Sequence, residues 1–170
     1  MNRRVIYPGT FDPVTYGHLD IIERASRIYD RVFVGVAHSK EKRPLFSVEE
    51  RVSMLKRATA HLKNIEVEDF DGLVVDYAKK KASRVIIRGL RMLSDFEFEF
   101  QMALTNRKLA EEVETIFMMT SDSHAYLSSK LIKEAVSLGA DVKSFVPSFV
   151  ADELRKKLRH RCHPCESRDP

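Results

Sequence analysis

Tyr7-Pro8-Gly9-Thr10-Phe11-Asp12-Pro13-Val14-Thr15-Tyr16-Gly17-His18 decides how the chain is read, because it joins an apolar segment to an amphipathic one through prolines, glycines and a histidine. Upstream, Arg4-Val5-Ile6-Tyr7 is too short and too β-branched for a helix. Pro8-Gly9 is expected to end that strand by removing a backbone donor and admitting positive φ. Downstream, Leu19, Ile21, Ile22, Ala25 and Ile28 recur near helical spacing, so Gly17-His18 is expected to open a helix. A strand-to-helix junction of this kind offers unpaired N–H groups and the positive end of the helix dipole, and glycine lets a phosphate reach the backbone. His18 stands where that anion would lie, and it can donate to a phosphoryl oxygen without carrying full charge. An isolated Gly-His pair would be an ordinary helix start. Here the strand, the helix, the Gly-Thr-Phe-Asp-Pro run and the spacing from Val14 to Gly17 coincide, and the stretch reads as a nucleotide-phosphate site.

Working outward, Val32-Phe33-Val34-Gly35-Val36-Ala37 is a continuous apolar run suited to a strand buried on both faces. A basic loop from His38 to Arg43 follows, and Ser47-Val48-Glu49-Glu50 has capping-box spacing for a helix to about Thr59. Ile65-Glu66-Val67 is a weak third strand, Leu73 to Ala82 a helix, and Arg84 to Arg88 a fourth strand ending at Gly89. Ser94 is expected to cap a helix through Leu109. Thr115 to Met119 is a fifth strand, and a polar loop from Thr120 to Ala125 leads to helices near Ser128–Ser137 and Ser148–Leu158. Strands alternating with helices in this order specify an α/β fold, a single Rossmann-like domain whose five-stranded parallel sheet carries helices on both faces. Such sheets bind ligands at the carboxyl ends of their strands.

Four candidate segments fall at those ends. Besides the Gly9–His18 turn, they are the Lys40–Arg43 loop with Lys42, the Arg88-Gly89-Leu90-Arg91 run, and Thr120 to Ser129. Two arginines around a glycine supply planar forks for phosphate oxygens, with the glycine expected to permit a tight turn. In isolation they would be solvated surface charges. Ser128-Ser129-Lys130 opens a helix with hydroxyls, which taken alone is an ordinary N-cap and here a second anion site.

Composition narrows the classes. The 170 residues, 44% hydrophobic, suit one domain, expected over residues 1–158. No apolar run is long enough to span a membrane, and Met1-Asn2-Arg3-Arg4 lacks the apolar core of a secretory signal, so a cytoplasmic location is expected. The net charge of +4 is interspersed with 25 acidic residues, which suits small anions as well as nucleic acid. Phe96, Phe98 and Phe100 alternate with Asp95, Glu97 and Glu99, which would repel a phosphate backbone, so no nucleic-acid partner is expected. Cys162 and Cys165 sit among His160 and His163 in a spacing that superficially suits zinc. With one pair only, in a polar tail, residues 159–170 are expected to be disordered and no metal ligands are assigned.

Thr15-Tyr16-Gly17-His18 matches the T/H-x-G-H element of the nucleotidylyltransferase superfamily, and class I aminoacyl-tRNA synthetases carry a related element. Adding Lys42-Arg43-Pro44, Glu49-Glu50-Arg51, Ile87-Arg88-Gly89-Leu90-Arg91, Asp95-Phe96-Glu97, Asn106-Arg107 and Ser128-Ser129 to Lys133-Glu134, the chain resembles the bacterial phosphopantetheine adenylyltransferases over residues 3 to 158. The resemblance implies transfer of AMP from ATP to 4'-phosphopantetheine with Mg2+, giving dephospho-coenzyme A and pyrophosphate. It implies ATP contacts from Thr10, Phe11, His18, Gly89, Leu90, Arg91, Glu99, His124, Ala125, Tyr126, Leu127, Ser128, Ser129 and Lys130. It implies acceptor contacts from Thr10, Lys42, Val74, Arg88, Asn106 and Glu134, catalytic roles for His18, Lys42 and Arg88, and a homohexamer. Two positions depart from the family pattern: Lys130 replaces a Ser or Thr, and His124 stands where some relatives have an aromatic near the adenine. A nucleotidylyltransferase acting on nicotinamide mononucleotide or glycerol 3-phosphate, or a non-catalytic anion or RNA binder, are the alternative readings.

Overall fold

The structure is a computed structural model that describes residues 3–38 and 44–159. Along the chain run β1 (Arg4–Gly9), α1 (Tyr16–Ile28), β2 (Arg31–Ala37), α2 (Val48–Ala58), β3 (Ile65–Phe70), α3 (Val74–Lys80), β4 (Val85–Leu90), α4 (Leu93–Leu109), β5 (Glu114–Met119), α5 (Ser129–Ser137) and α6 (Ser148–Arg159). Lys42 and the Cys162/Cys165 tail lie outside the described residues.

The strands form one five-stranded parallel sheet in the order β3-β2-β1-β4-β5. Alternation along each strand makes two cores. Val5, Tyr7, Val32, Val34, Val36 and Ile87 face one side, where α1, α2, α5 and α6 cover them. Ile6, Phe33 and Ile86 face the other, against Val75, Tyr77 and Ala78 of α3. Each aliphatic side chain buried in these cores contributes about 1.5–3 kcal/mol. The expected α/β architecture with helices on both faces is therefore present, with the heavier layer on one side.

The order reverses between β1 and β4, whose ladder registers Ile6 with Ile86, whereas β1 and β2 are registered from Arg4–Arg31 to Gly9–Val36. Their carboxyl ends carry Pro8-Gly9 on β1 and Gly89-Leu90 on β4. A crevice opens there, at the topological switch point where α/β sheets bind ligands.

Several boundaries differ from expectation. β1 continues through Pro8-Gly9, paired with Gly35 and Val36, because proline's fixed φ tolerates extended backbone and its carbonyl still accepts, here from Arg88 Nη1 at 2.9 Å. Gly89 is not in a turn but inside β4, opposite Met118. A side chain there would meet Ile21 at 3.4 Å and the Tyr7 hydroxyl at 3.5 Å. α4 begins at Leu93 with Met92 at its cap, rather than at a Ser94 cap. β3 runs on to Phe70 because β2 offers partners through Ala37. Among the described residues no helix is long and apolar enough to cross a membrane.

Candidate functional site

A cleft of about 530 Å3 occupies the crevice. Its floor is the end of β1 and the turn after it, one wall is the end of β4 with the start of α4, and the other is the start of α5. Of the residues expected from sequence, Thr10, Phe11, His18, Arg88, Gly89, Arg91, Glu99, Leu127, Ser128, Ser129 and Lys130 line it.

α1 starts at Tyr16 with Thr15 as its N-cap, and His18 completes the capping box. The Thr15 N–H donates to His18 Nδ1 at 3.1 Å, and the His18 N–H donates to Thr15 Oγ1 at 3.4 Å. Because Nδ1 accepts from a backbone donor, the neutral ring carries its proton on Nε2. Burial, then Arg91 and Arg88, push the imidazole down to about 4, so the ring is neutral near pH 7 and a donor only through Nε2. Phe11, in the left-handed region at φ 50, sets its ring edge-on against His18 at 5.1 Å and against Tyr7 at 5.5 Å. Gly9 admits that ring, since a Cβ there would come within 2.8 Å of it.

Neither arginine is a bare cation. Arg88 Nε and Nη2 donate to the two carboxylate oxygens of Glu99 at 2.7 and 2.6 Å. Burial acts to lower the Arg88 pKa, and the Glu99 hydrogen bonds and charge more than restore it, leaving the guanidinium above its ordinary range. Arg91 donates to both oxygens of Asp95 at 3.0 and 3.2 Å and to the Leu127 carbonyl at 3.0 Å. These pairs hold the forks in fixed planes at the cleft wall. α5 reaches the cleft with Ser128, Ser129 and Lys130, and Ser129 Oγ donates to the Pro13 carbonyl at 2.9 Å, tying this helix start to the turn. Two helix N-termini thus open onto one cleft.

Other expected residues do not line it. Leu90 ends β4, its carbonyl accepting from the Thr120 N–H at 3.0 Å. His124 sits in a 3-10 turn (Asp122–His124) with Nδ1 2.8 Å from Ser121 Oγ, and Tyr126 turns its ring onto Phe145 at 6.0 Å, with Ala125 between them. This loop contributes through Leu127. Val74 packs against the second core, Asn106 is buried on α4 and Glu134 is exposed on α5.

Asp12 was not expected at the site. Its buried carboxylate accepts from the Leu45 and Phe46 N–H groups at 2.9 Å each and from Lys133 Nζ at 2.5 Å. An acidic residue between Phe11 and Pro13 inside the quoted run was a signal for it, and Lys133 lies one helical turn past Ser129. Tyr7, Asp95, Phe98, Thr120 and Pro44 also line the cleft. Burial pushes the Tyr7 phenol above its ordinary range, against the pull of Arg88 and Arg91, so it stays protonated.

Comparison with known proteins agrees with this geometry. Residues 6–135 match the family model described as Cytidylyltransferase-like. The phosphopantetheine adenylyltransferase of Caldanaerobacter subterraneus subsp. tengcongensis is 54% identical over 157 residues, covering 92% of this chain and 98% of that protein. That of Synechococcus elongatus is 50% identical over 164 residues, 96% of each. In three dimensions the chain is similar to a Vibrio parahaemolyticus protein assigned as a nicotinate-nucleotide adenylyltransferase, with a TM-score of 0.68 over 95% of this chain and 98% of that one. At 17% identity that likeness speaks to the fold alone.

Proposed function

The chain belongs to the cytidylyltransferase-like family and, within it, to the phosphopantetheine adenylyltransferases, and from that membership we propose that it transfers AMP from ATP to 4'-phosphopantetheine, releasing pyrophosphate and making dephospho-coenzyme A. The observation that carries the reading is the meeting of His18, Arg88, Arg91 and the α5 start on one cleft at the switch point of the sheet.

The acceptor's phosphate oxygen attacks the α-phosphorus in line, the bond to the β-phosphate oxygen breaks, and pyrophosphate leaves with the electron pair. The nucleophile is already an anion, so no residue need act as base, and positioning and charge stabilisation carry the rate. His18 donates from Nε2 to a non-bridging oxygen whose charge grows in the transition state. Arg88, with Lys42 from the segment outside the described residues, takes the acceptor phosphate. Arg91, Thr10, Ser128, Ser129 and Lys130 hold the triphosphate against two helix starts.

Mg2+ bound with ATP would supply compensation for the charge on the triphosphate and the departing pyrophosphate. Asp12, Asp95 and Glu99, the carboxylates of the cleft, are each paired with a cation. That donor set suits an ion held mainly by phosphate oxygens and water. The proposal also places the enzyme in the cytoplasm as a homohexamer. For assembly, the support is the exposed apolar side chains on α4 and β5, Phe100 at 45% and Met119 at 73%.

The test is formation of dephospho-coenzyme A and pyrophosphate from ATP and 4'-phosphopantetheine, with nicotinamide mononucleotide and glycerol 3-phosphate offered in parallel. Turnover of either alternative acceptor in preference to phosphopantetheine overturns the reading.

A further inference from the structure

Arg51, in the first turns of α2, is wholly buried, yet no carboxylate receives its hydrogen bonds. Nη1 donates to the Thr10 carbonyl at 2.7 Å and to the Ala37 carbonyl at 3.1 Å, and Nε donates to the Phe46 and Ser47 carbonyls at 3.2 and 3.3 Å. Nη2 is buried with no partner among the described residues. A buried guanidinium whose hydrogen bonds all go to neutral carbonyls, with Asp12 and Glu49 acting on its charge only through space, is an expensive way to fill a core, and apolar residues of similar volume often serve stability as well or better. Its shortest contact shows what the cation does there. The Thr10 carbonyl belongs to the same peptide unit as the Phe11 N–H, and a charge-assisted bond at one end of a peptide polarises the other.

Phe11 follows in left-handed backbone, a conformation that costs a bulky residue about 1–3 kcal/mol and persists only where its surroundings impose it. Those surroundings are specific. Arg51 grips Thr10 before Phe11, and Asp12 after it is held by the Leu45 and Phe46 N–H groups. Phe46 joins the two grips, its N–H donating to Asp12 and its carbonyl accepting from Arg51. Held in this way, the Phe11 ring lies edge-on against the His18 imidazole at 5.1 Å.

We propose that Arg51 is a positioning residue for adenylyl transfer: a buried cation beneath the phosphate turn that fixes the Thr10–Phe11 peptide and, through the Phe11 ring, seats the His18 imidazole. The inference rests on the reading of His18 given above. Arg51 touches no reacting atom and acts through Thr10 and Phe11.

The experiment pairs kinetics with NMR of the imidazole. Arg51→Lys keeps the charge but cannot reach all four carbonyls. It is expected to lower kcat about tenfold or more while the KM for ATP moves less than about threefold, because misplacing a transition-state donor costs turnover rather than ground-state binding. In a His18→Ala background the same substitution is expected to cost less than about a further twofold, since residues acting through one another are non-additive. The His18 ring signals of the free protein are expected to shift in Arg51→Lys, a readout independent of turnover. A folded Arg51→Lys protein with unmoved His18 signals, or losses that multiply with His18→Ala, overturns the proposal. Should Arg51→Lys fail to fold, Phe11→Leu interrupts the same chain of contacts, and unchanged His18 signals and kcat in that variant overturn it equally. Wild-type protein that makes no dephospho-coenzyme A defeats the functional reading instead, and leaves the His18 signals to decide the positioning role.

Discussion

Glu99 gives both of its carboxylate oxygens to Arg88, at 2.7 and 2.6 Å, across one face of the guanidinium's fork. Arg88 Nη1 is fixed in turn by the Pro8 carbonyl, so the plane of the arginine is set from two sides before any ligand arrives. A carboxylate aimed at Arg88 makes a poor direct ligand for a triphosphate, and its effect on phosphate binding runs through the arginine. Glu99→Gln should therefore lower kcat/KM roughly 30-fold, the low end of what breaking a partly buried charge pair costs. The check is a double-mutant cycle: in an Arg88→Lys background the Glu99 substitution should add little, and independent losses would show that Glu99 meets the nucleotide itself.

The imidazole of His18 is expected to stay neutral in the free protein well below neutral pH. Burial first, then Arg91 and Arg88, lower it from 6.5 to about 4. Between those values the unfolded chain binds a proton that the folded chain does not, so the residue's contribution to stability falls as pH drops through that window. An NMR titration should show no protonation of this ring between about pH 8 and pH 5.5, and a midpoint near the ordinary histidine value would refute the seating described. His18→Ala should lower kcat by about 10²–10³ with a much smaller change in ATP affinity, measured by calorimetry beside turnover.

What could be read from the residues alone was whatever is local. The Ser47–Glu50 capping box is present with both bonds, and the helix that carries His18 begins within a residue of where periodicity places it. Pairings across the fold were not legible. Glu99 lies nearly two turns into α4, on a different element from Arg88 of β4, and nothing in the alternation of Phe96 to Phe100 says which acid turns back to β4. Arg51 follows two glutamates in the sequence, and only the fold places the Thr10 and Ala37 carbonyls over it. The extension of β1 through Pro8-Gly9 was missed because proline's lost donor matters only where a neighbour needs it.

Asp12 is the hinge pin between the phosphate turn, the approach to α2 and the start of α5. Asp12→Ala would leave two N–H groups and the Lys133 ammonium without their acceptor. The expected loss is about 3 kcal/mol, a fall of roughly 6–12 °C in Tm for a chain of this size. Lys133→Met, which keeps the carboxylate and its two backbone donors, should cost about 1 kcal/mol. Calorimetric unfolding distinguishes the two, and equal losses would show that the ammonium, not the backbone pair, is the main partner.

The apolar residues left in water on α4 predict assembly. Phe96, Phe100 and Leu104 are 42%, 45% and 49% exposed, and Phe96 packs against Phe100 and against Phe117 of the edge strand β5, a cluster of large apolar side chains facing solvent. Light scattering should give a mass several times that of one chain. Leu104→Glu should shift it toward smaller species by placing a charge in the buried contact. A wild-type mass equal to one chain would remove the prediction.

Magnesium is expected to matter for turnover and not for the fold. Among the described residues no three acidic, histidine or cysteine side chains gather as a metal cage, and the acids of the cleft already face Arg88, Arg91 and Lys133. An ion that arrives on ATP has no counterpart to stabilise in the free protein, since a ligand raises Tm only by binding the native state. Chelation with EDTA should then lower adenylyl transfer by at least about tenfold, while the melting temperature of the nucleotide-free protein stays the same. Adding Mg2+ with ATP should restore the rate fully. A fall in melting temperature on chelation would instead reveal a resident ion, and the three paired carboxylates would have to release their cations to hold it.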